Sequence, residues 1–202
     1  MLLIIQNGLI TPFMCRYLDE KCEVIKSFET DVSKINLDIY DVIIILGGRQ
    51  SVRMINEYEY LKQVALMIEN CIRIEKPLIG ICLGCQLIAY VLGCEIKSCE
   101  KLNIGYDAKI LGKENIFRCH LDYIEKNDSI QVIEYFEKMP YLFTHGKKVV
   151  GIQCHPDIAP EAIGEYANCN SCAKYVMYAM ENKELINKNN GEILRQILQM
   201  VL

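Results

Sequence analysis

Clustered basic charge is missing from this chain. Lysine and arginine total 22 against 26 aspartates and glutamates, for a net charge of −4 and a pI near 5.5. No face that tracks a phosphate backbone is expected, which excludes nucleic acid as the main partner. Internal repeats, low-complexity tracts and Pro/Ser-rich linkers are also absent, so residues 1–202 read as one domain. Hydrophobic residues make up 51% of it, enough for a sizeable core. The N-terminal stretch has no basic leader. It is uncharged to Cys15, but Gln6, Asn7, Gly8 and Pro12 break it, which argues against a signal peptide. A second uncharged stretch, Pro77 to Cys94, nears spanning length. It opens on proline and contains Gly80, Gly84, Gln86 and Gly93, so it reads as strand, turn and helix, with no membrane partner implied.

Histidine is scarce, at three residues, whereas cysteine is abundant at eleven. The cysteine count is odd, and Cys71, Cys82, Cys85 and Cys94 sit in apolar runs. That pattern fits buried free thiols in a reducing, cytoplasmic setting better than a secreted disulfide scaffold.

Short apolar runs alternate with helical periodicity through the first half. Strands are expected at Leu2–Gln6, Cys22–Phe28, Asp41–Leu46 and Pro77–Ile81. Helices are expected around Pro12–Lys21, over Glu57–Arg73 and over Leu83–Leu92. Continuously apolar strands between helices imply a parallel sheet covered on both faces. The second half is richer in strands: Asn103–Leu111, Ile116–Cys119, Ile130–Phe136, Tyr141–Thr144 and Lys148–Cys154. They read as antiparallel additions at a sheet edge, followed by helices over Pro160–Met180 and Gly191–Leu202. The fold class is therefore α/β, with a mainly parallel central sheet.

Three segments carry chemistry. In Gly80-Ile-Cys82-Leu-Gly84 a β-run enters a turn and a helix follows, the pattern of a nucleophile elbow with cysteine in place of serine. Small neighbours are needed because the chain doubles back there. The turn sets Cys82 at a helix N-terminus, which favours thiolate, and aims the Leu83 N–H at a forming oxyanion. In Gly151-Ile-Gln-Cys-His155-Pro-Asp157 a strand delivers an imidazole and then a carboxylate, the base and orienter that a thiol nucleophile requires. In Asp41-Val-Ile-Ile-Ile-Leu-Gly47-Gly48 a Gly-Gly after a strand can present N–H groups to an anion, although an ordinary turn reads the same way.

Together these segments resemble the class I (triad) glutamine amidotransferases, most closely the glutaminase domain of GMP synthetase and its stand-alone relatives. The family's Gly-Gly-Pro-x-Ser-Val is similar to Gly47-Gly48-Arg49-Gln50-Ser51-Val52, and its Gly-Ile-Cys-x-Gly-His-Gln to Gly80 through Gln86. Its Glu-Ile-Gly-Trp is similar to Asn103-Ile-Gly-Tyr106, its His-Gly-Asp to His120-Leu-Asp122, and its Gly-x-Gln-Phe-His-Pro-Glu to Gly151 through Asp157, with Pro160-Glu161 beyond. The resemblance implies a flavodoxin-like three-layer sandwich. It also implies a Cys82–His155–Asp157 triad, a γ-glutamyl thioester, an oxyanion hole from Gly48 and Leu83, and substrate contacts from Gly47 and Gln86. His120 and Asp122 match a loop near the pocket, with no chemistry assigned. His145 is expected at a solvent-exposed turn.

The sequence departs from the family pattern at Arg49 for proline, Cys85 for histidine, Tyr106 for tryptophan and Asp157 for glutamate. The last shortens the orienting carboxylate by one methylene. The pairs Cys82-x-x-Cys85 and Cys169-x-x-Cys172 look like halves of a zinc site. The first would consume the nucleophile and the pairs are far apart, so neither metal nor cofactor is expected. Three functions follow from the resemblance. The first is a glutaminase supplying ammonia to a separate synthetase partner, since an acceptor domain is not expected within this chain. The second is a stand-alone hydrolase of γ-glutamyl peptides or amides. The third is a catalytically weakened binding or regulatory module.

Overall fold

The computed structural model describes residues 1–8, 13–18, 20–166 and 173–202. The first four strands are β1 (Leu2–Gln6), β2 (Cys22–Lys26), β3 (Val42–Ile45) and β4 (Leu78–Ile81). The next five are β5 (Glu95–Ile110), β6 (Lys113–Glu125), β7 (Gln131–Phe136), β8 (Met139–His145) and β9 (Val149–Ile152). The helices are α1 (Glu59–Arg73), α2 (Leu83–Val91), α3 (Ile163–Tyr166), α4 (Ala173–Glu181) and α5 (Lys183–Val201).

Seven strands form one sheet in the order β2-β1-β3-β4-β9-β8-β7. The first five run parallel, and β8 and β7 extend the sheet antiparallel at one edge. Successive side chains on a strand point to opposite faces, so the apolar runs split between two cores. Leu3, Ile5, Ile43 and Ile45 face α1 and α2, while Leu2, Ile4, Val42 and Ile44 face α5. Each such side chain contributes roughly 1.5–3 kcal/mol on burial. This double coverage is why the strands lack polar alternation, and it builds the three layers.

Three expectations need correction. Strands β5 and β6 do not join the sheet edge; they form a separate two-stranded ribbon. Its pairing slips at Ser98/Asn103, Gly105/Ala108 and Ala108/Ile110. Such irregularities bend a ribbon. This one places Ala108, Ile110 and Ile116 on the α5 side, while Ile96 and Ile124 pack with α2. Around Pro12–Lys21, only a 3-10 turn at Met14–Arg16 occurs among the described residues. The C-terminal helix starts earlier than expected, at Lys183.

Strand register positions everything that follows. Ile45 lies beside Gly80, and Gly80 beside Gly151. The three motif segments therefore leave the carboxyl ends of three adjacent strands, β3, β4 and β9. That end of an open α/β sheet is where such folds form clefts.

Candidate active site

Cys82 follows β4 directly and caps α2, with φ 52° and ψ −106°. A non-glycine residue there costs about 1–3 kcal/mol and persists only where its surroundings impose it. Two bonds do so: the Cys82 N–H donates to the Ile152 carbonyl at 2.9 Å, and the Cys82 carbonyl accepts from the Gln86 N–H at 2.9 Å. The glycines are a steric necessity. A Cβ on Gly80 would lie 2.6 Å from the Gly84 backbone, and one on Gly84 would lie 2.1 Å from the Ile45 carbonyl oxygen.

His155, fully buried, is anchored by its backbone N–H to the Phe117 carbonyl at 2.8 Å. Its Nδ1 meets Asp157 Oδ1 at 3.1 Å, and the charge of Cys82 acts on the same ring. Burial pushes the imidazole pKa down, but the negative charges of Cys82 and Asp157 and the hydrogen bond to Asp157 outweigh it, lifting the pKa to about 10. The three residues expected to form a triad are thus brought together. Aspartate reaches the imidazole despite its shorter side chain.

Gly48 packs on the first residue of α2: a Cβ there would meet Leu83 Cδ2 at 2.8 Å and Asn7 Cβ at 3.2 Å. Leu83, at the helix start, has no carbonyl one turn earlier to receive its N–H. Asn7 braces this loop, donating to the Leu46 carbonyl at 2.8 Å and accepting from the Ser27 hydroxyl at 2.8 Å. Gln86 Nε2 donates to the Asp122 carbonyl at 3.1 Å and to Gln153 Oε1 at 3.2 Å. Its amide is therefore held in a network at the cavity wall.

His120 and Asp122 lie on strand β6, where a loop was expected. The Asp122 carboxylate accepts from the Ser51 hydroxyl and, at 3.2 Å, from Arg53 Nε, tying the ribbon to the segment after Gly48. His120 is clamped by the Asp122 carbonyl at 2.9 Å and the Tyr141 hydroxyl at 2.6 Å. Burial lowers its pKa to about 4, so the neutral ring donates from Nδ1 and accepts at Nε2. Sequence reasoning missed Asn7, Arg53 and Tyr141 as participants, because each acts across a long stretch of chain without a local signature. His145 is half-buried at the opposite end of β9, paired with Val149 and bonded to the Ser129 carbonyl at 2.7 Å. Cys85 is buried in the α1–α2 core.

These elements surround an open cavity of about 620 Å³, with Gly47, Gly48, Cys82, Leu83, Gln86 and Asp157 in its lining. Among the described residues, no group of three or more His, Cys, Asp or Glu could hold a metal ion. Cys169 and Cys172 lie outside the described residues. No helix among the described residues is long and apolar enough to cross a membrane.

Fold and site define a three-layer α/β protein with a cysteine elbow at the carboxyl ends of its parallel strands. The sequence matches the family Glutamine amidotransferase class-I over residues 13–172. It is 59% identical over 201 residues to a glutamine amidotransferase-like protein of Acanthamoeba polyphaga mimivirus, covering 100% of this chain and 97% of that one. It is 26% identical over 163 residues to the glutamine-hydrolyzing GMP synthase of Spiroplasma kunkelii, covering 74% of this chain but only 30% of the synthase. Against a glutamine-hydrolyzing GMP synthase subunit from Methanothermobacter thermautotrophicus the identity is 32% over 130 residues, covering 57% of this chain and 64% of that one. A solved glutamine amidotransferase from Thermotoga maritima superposes with a TM-score of 0.80 at 18% identity, covering 98% of this chain and 97% of that one. One from Methylobacillus flagellatus gives 0.81 at 16%, covering 100% and 95%. The chain belongs to the class I glutamine amidotransferase family, and its fold is the flavodoxin-like sandwich of that family.

Proposed function

We propose that the protein hydrolyses a γ-glutamyl carboxamide with Cys82 as nucleophile, His155 as proton carrier and Asp157 as the group that orients it. One observation carries the reading: a strained cysteine faces the cavity, and its charge acts on a buried His155 that is itself bonded to Asp157. The Cys82 thiolate adds to the carboxamide carbon, and the Gly48 and Leu83 N–H groups hold the oxyanion. Gly47 and Gln86 line the substrate's side of the cleft. As the tetrahedral adduct collapses, the C–N bond breaks and the His155 imidazolium protonates the leaving nitrogen. Water, deprotonated by His155, then attacks the thioester carbon. Glutamate leaves and the thiolate is restored, so glutamine plus water becomes glutamate plus ammonia.

Two fates of the nitrogen are compatible with this chemistry. Kinship with GMP synthases and with a separate GMP synthase subunit favours ammonia delivery to a synthetase partner. A cavity of about 620 Å³, with room beyond a single glutamine, favours a larger γ-glutamyl amide. The test is to incubate the purified chain with glutamine and with γ-glutamyl dipeptides while following ammonia and glutamate. Release of glutamate from either substrate, lost in His155→Ala, supports the reading. Release that survives His155→Ala at the same rate refutes it.

A further inference from the structure

Next to the cavity before Cys82 lies a second recess of about 220 Å³, and Gly8, Arg49 and Gln50 line both. Phe28 and Tyr60 form the far wall of the recess, edge to face with ring centroids 6.4 Å apart. Four charged side chains line the main cavity, and three are engaged. Arg53 is bonded to Asp122 at 3.2 Å, and Asp157 is bonded to His155 at 3.1 Å. Among the described residues, the Arg49 guanidinium makes no hydrogen bond or ion pair. An uncommitted cation that lines both spaces and an aromatic wall on one of them thus stand together. Arg49 also occupies the position at which the resembling motif carries an uncharged proline, so the charge is a property of this chain.

We propose that Arg49, Phe28 and Tyr60 form a subsite for the amine half of a γ-glutamyl amide, selecting an aromatic amino acid whose free carboxylate pairs with Arg49. This proposal rests on the reaction assigned above to Cys82. A planar guanidinium matches a carboxylate in two parallel hydrogen bonds, and the aromatic edge accommodates a ring. The γ-glutamyl C–N bond breaks, the acyl group passes to Cys82 Sγ, and His155 gives the departing amine its proton. Water then releases glutamate, so one amide and one water yield two amino acids.

The experiment compares γ-glutamyl-phenylalanine, its carboxylate-free analogue γ-glutamyl-phenethylamide, glutamine and α-amidated glutamine on the full chain. The readout is the ratio of kcat/KM between the two aromatic substrates. In Arg49→Gln the preference for the carboxylate-bearing substrate falls by about tenfold or more, and Arg49→Lys recovers part of it. Phe28→Ala lowers both aromatic substrates relative to glutamine. An unchanged ratio in Arg49→Gln overturns the proposal. So does a shift confined to the pair glutamine and α-amidated glutamine, which would mean that Arg49 reads the glutamyl carboxylate. If the folded protein turns over no substrate, the Cys82 reaction is what fails. Calorimetric binding of γ-glutamyl-phenylalanine then decides the subsite: weaker binding to Arg49→Gln supports it, and equal binding removes it.

Discussion

Asp157 shows how a shortened side chain is compensated by its position. The carboxylate is one methylene shorter than the glutamate of the resembling motif, yet Oδ1 stands 3.1 Å from the His155 ring. Its reach is therefore sufficient, and what the site needs is the negative charge and the acceptor. Asp157→Asn is expected to lower kcat by about a hundredfold or more in steady-state kinetics, because an amide can hold the wrong tautomer. Asp157→Glu, which keeps the charge and the acceptor and restores the motif's residue, is expected to cost less than that. The charges beside His155 make a second claim. Its folded pKa of about 10 lies above the ordinary 6.5, so its stabilising contribution is complete below about pH 6.5 and is lost as pH climbs through about 10. Much of the rise comes from the Cys82 charge. Cys82→Ser is therefore expected to lower the His155 pKa, read by NMR titration of the ring; an unmoved pKa would show that the two side chains are not coupled.

At the scale of elements, the turn between β4 and α2 is the most constrained piece of backbone. Gly84 touches β3 so closely that Gly84→Ala drives a Cβ to within 2.1 Å of the Ile45 carbonyl oxygen. A destabilisation of about 3 kcal/mol or more is expected, seen as a lower midpoint in denaturant unfolding. The ribbon of β5 and β6 is held differently, through Asp122, His120 and Tyr141. His120 has a folded pKa near 4, below its ordinary value, so the unfolded chain takes up its proton first as the solution is acidified. Stability from this group is complete above about pH 6.5 and lost as pH falls toward 4. Comparing urea midpoints at pH 7 and pH 5 should show a drop in the wild type and a smaller one in His120→Gln. Tyr141→Phe, which strips the 2.6 Å partner from a buried ring nitrogen, should cost about 1–3 kcal/mol. None of this ribbon chemistry was readable from the sequence. Its strand pattern looked like a sheet edge, and the register slips along it depend on what packs beneath it.

For the molecule as a whole, the parallel sheet was legible because β1, β3, β4 and β9 are buried on both faces and so had to be almost wholly apolar. The three glycine- and cysteine-bearing turns were legible because close backbone approach leaves short, strict signatures. The braces that hold those turns were not. Asn7 to Leu46 and Arg53 to Asp122 join residues 39 and 69 apart, and ordinary polar side chains supply them. The helix expected at Pro12–Lys21 illustrates the same limit, since among the described residues local pattern produced only the turn at Met14–Arg16. What unites these scales is one arrangement: three strand ends converge so that a strained cysteine, a buried histidine and a carboxylate meet at one cleft. The most direct test of its chemistry is rapid acid quench of the protein during turnover of glutamine or a γ-glutamyl dipeptide, followed by mass spectrometry of the peptide containing Cys82. A γ-glutamyl adduct on Cys82, absent from Cys82→Ala together with all glutamate release, is the expected result. Undiminished glutamate release by Cys82→Ala would contradict the account.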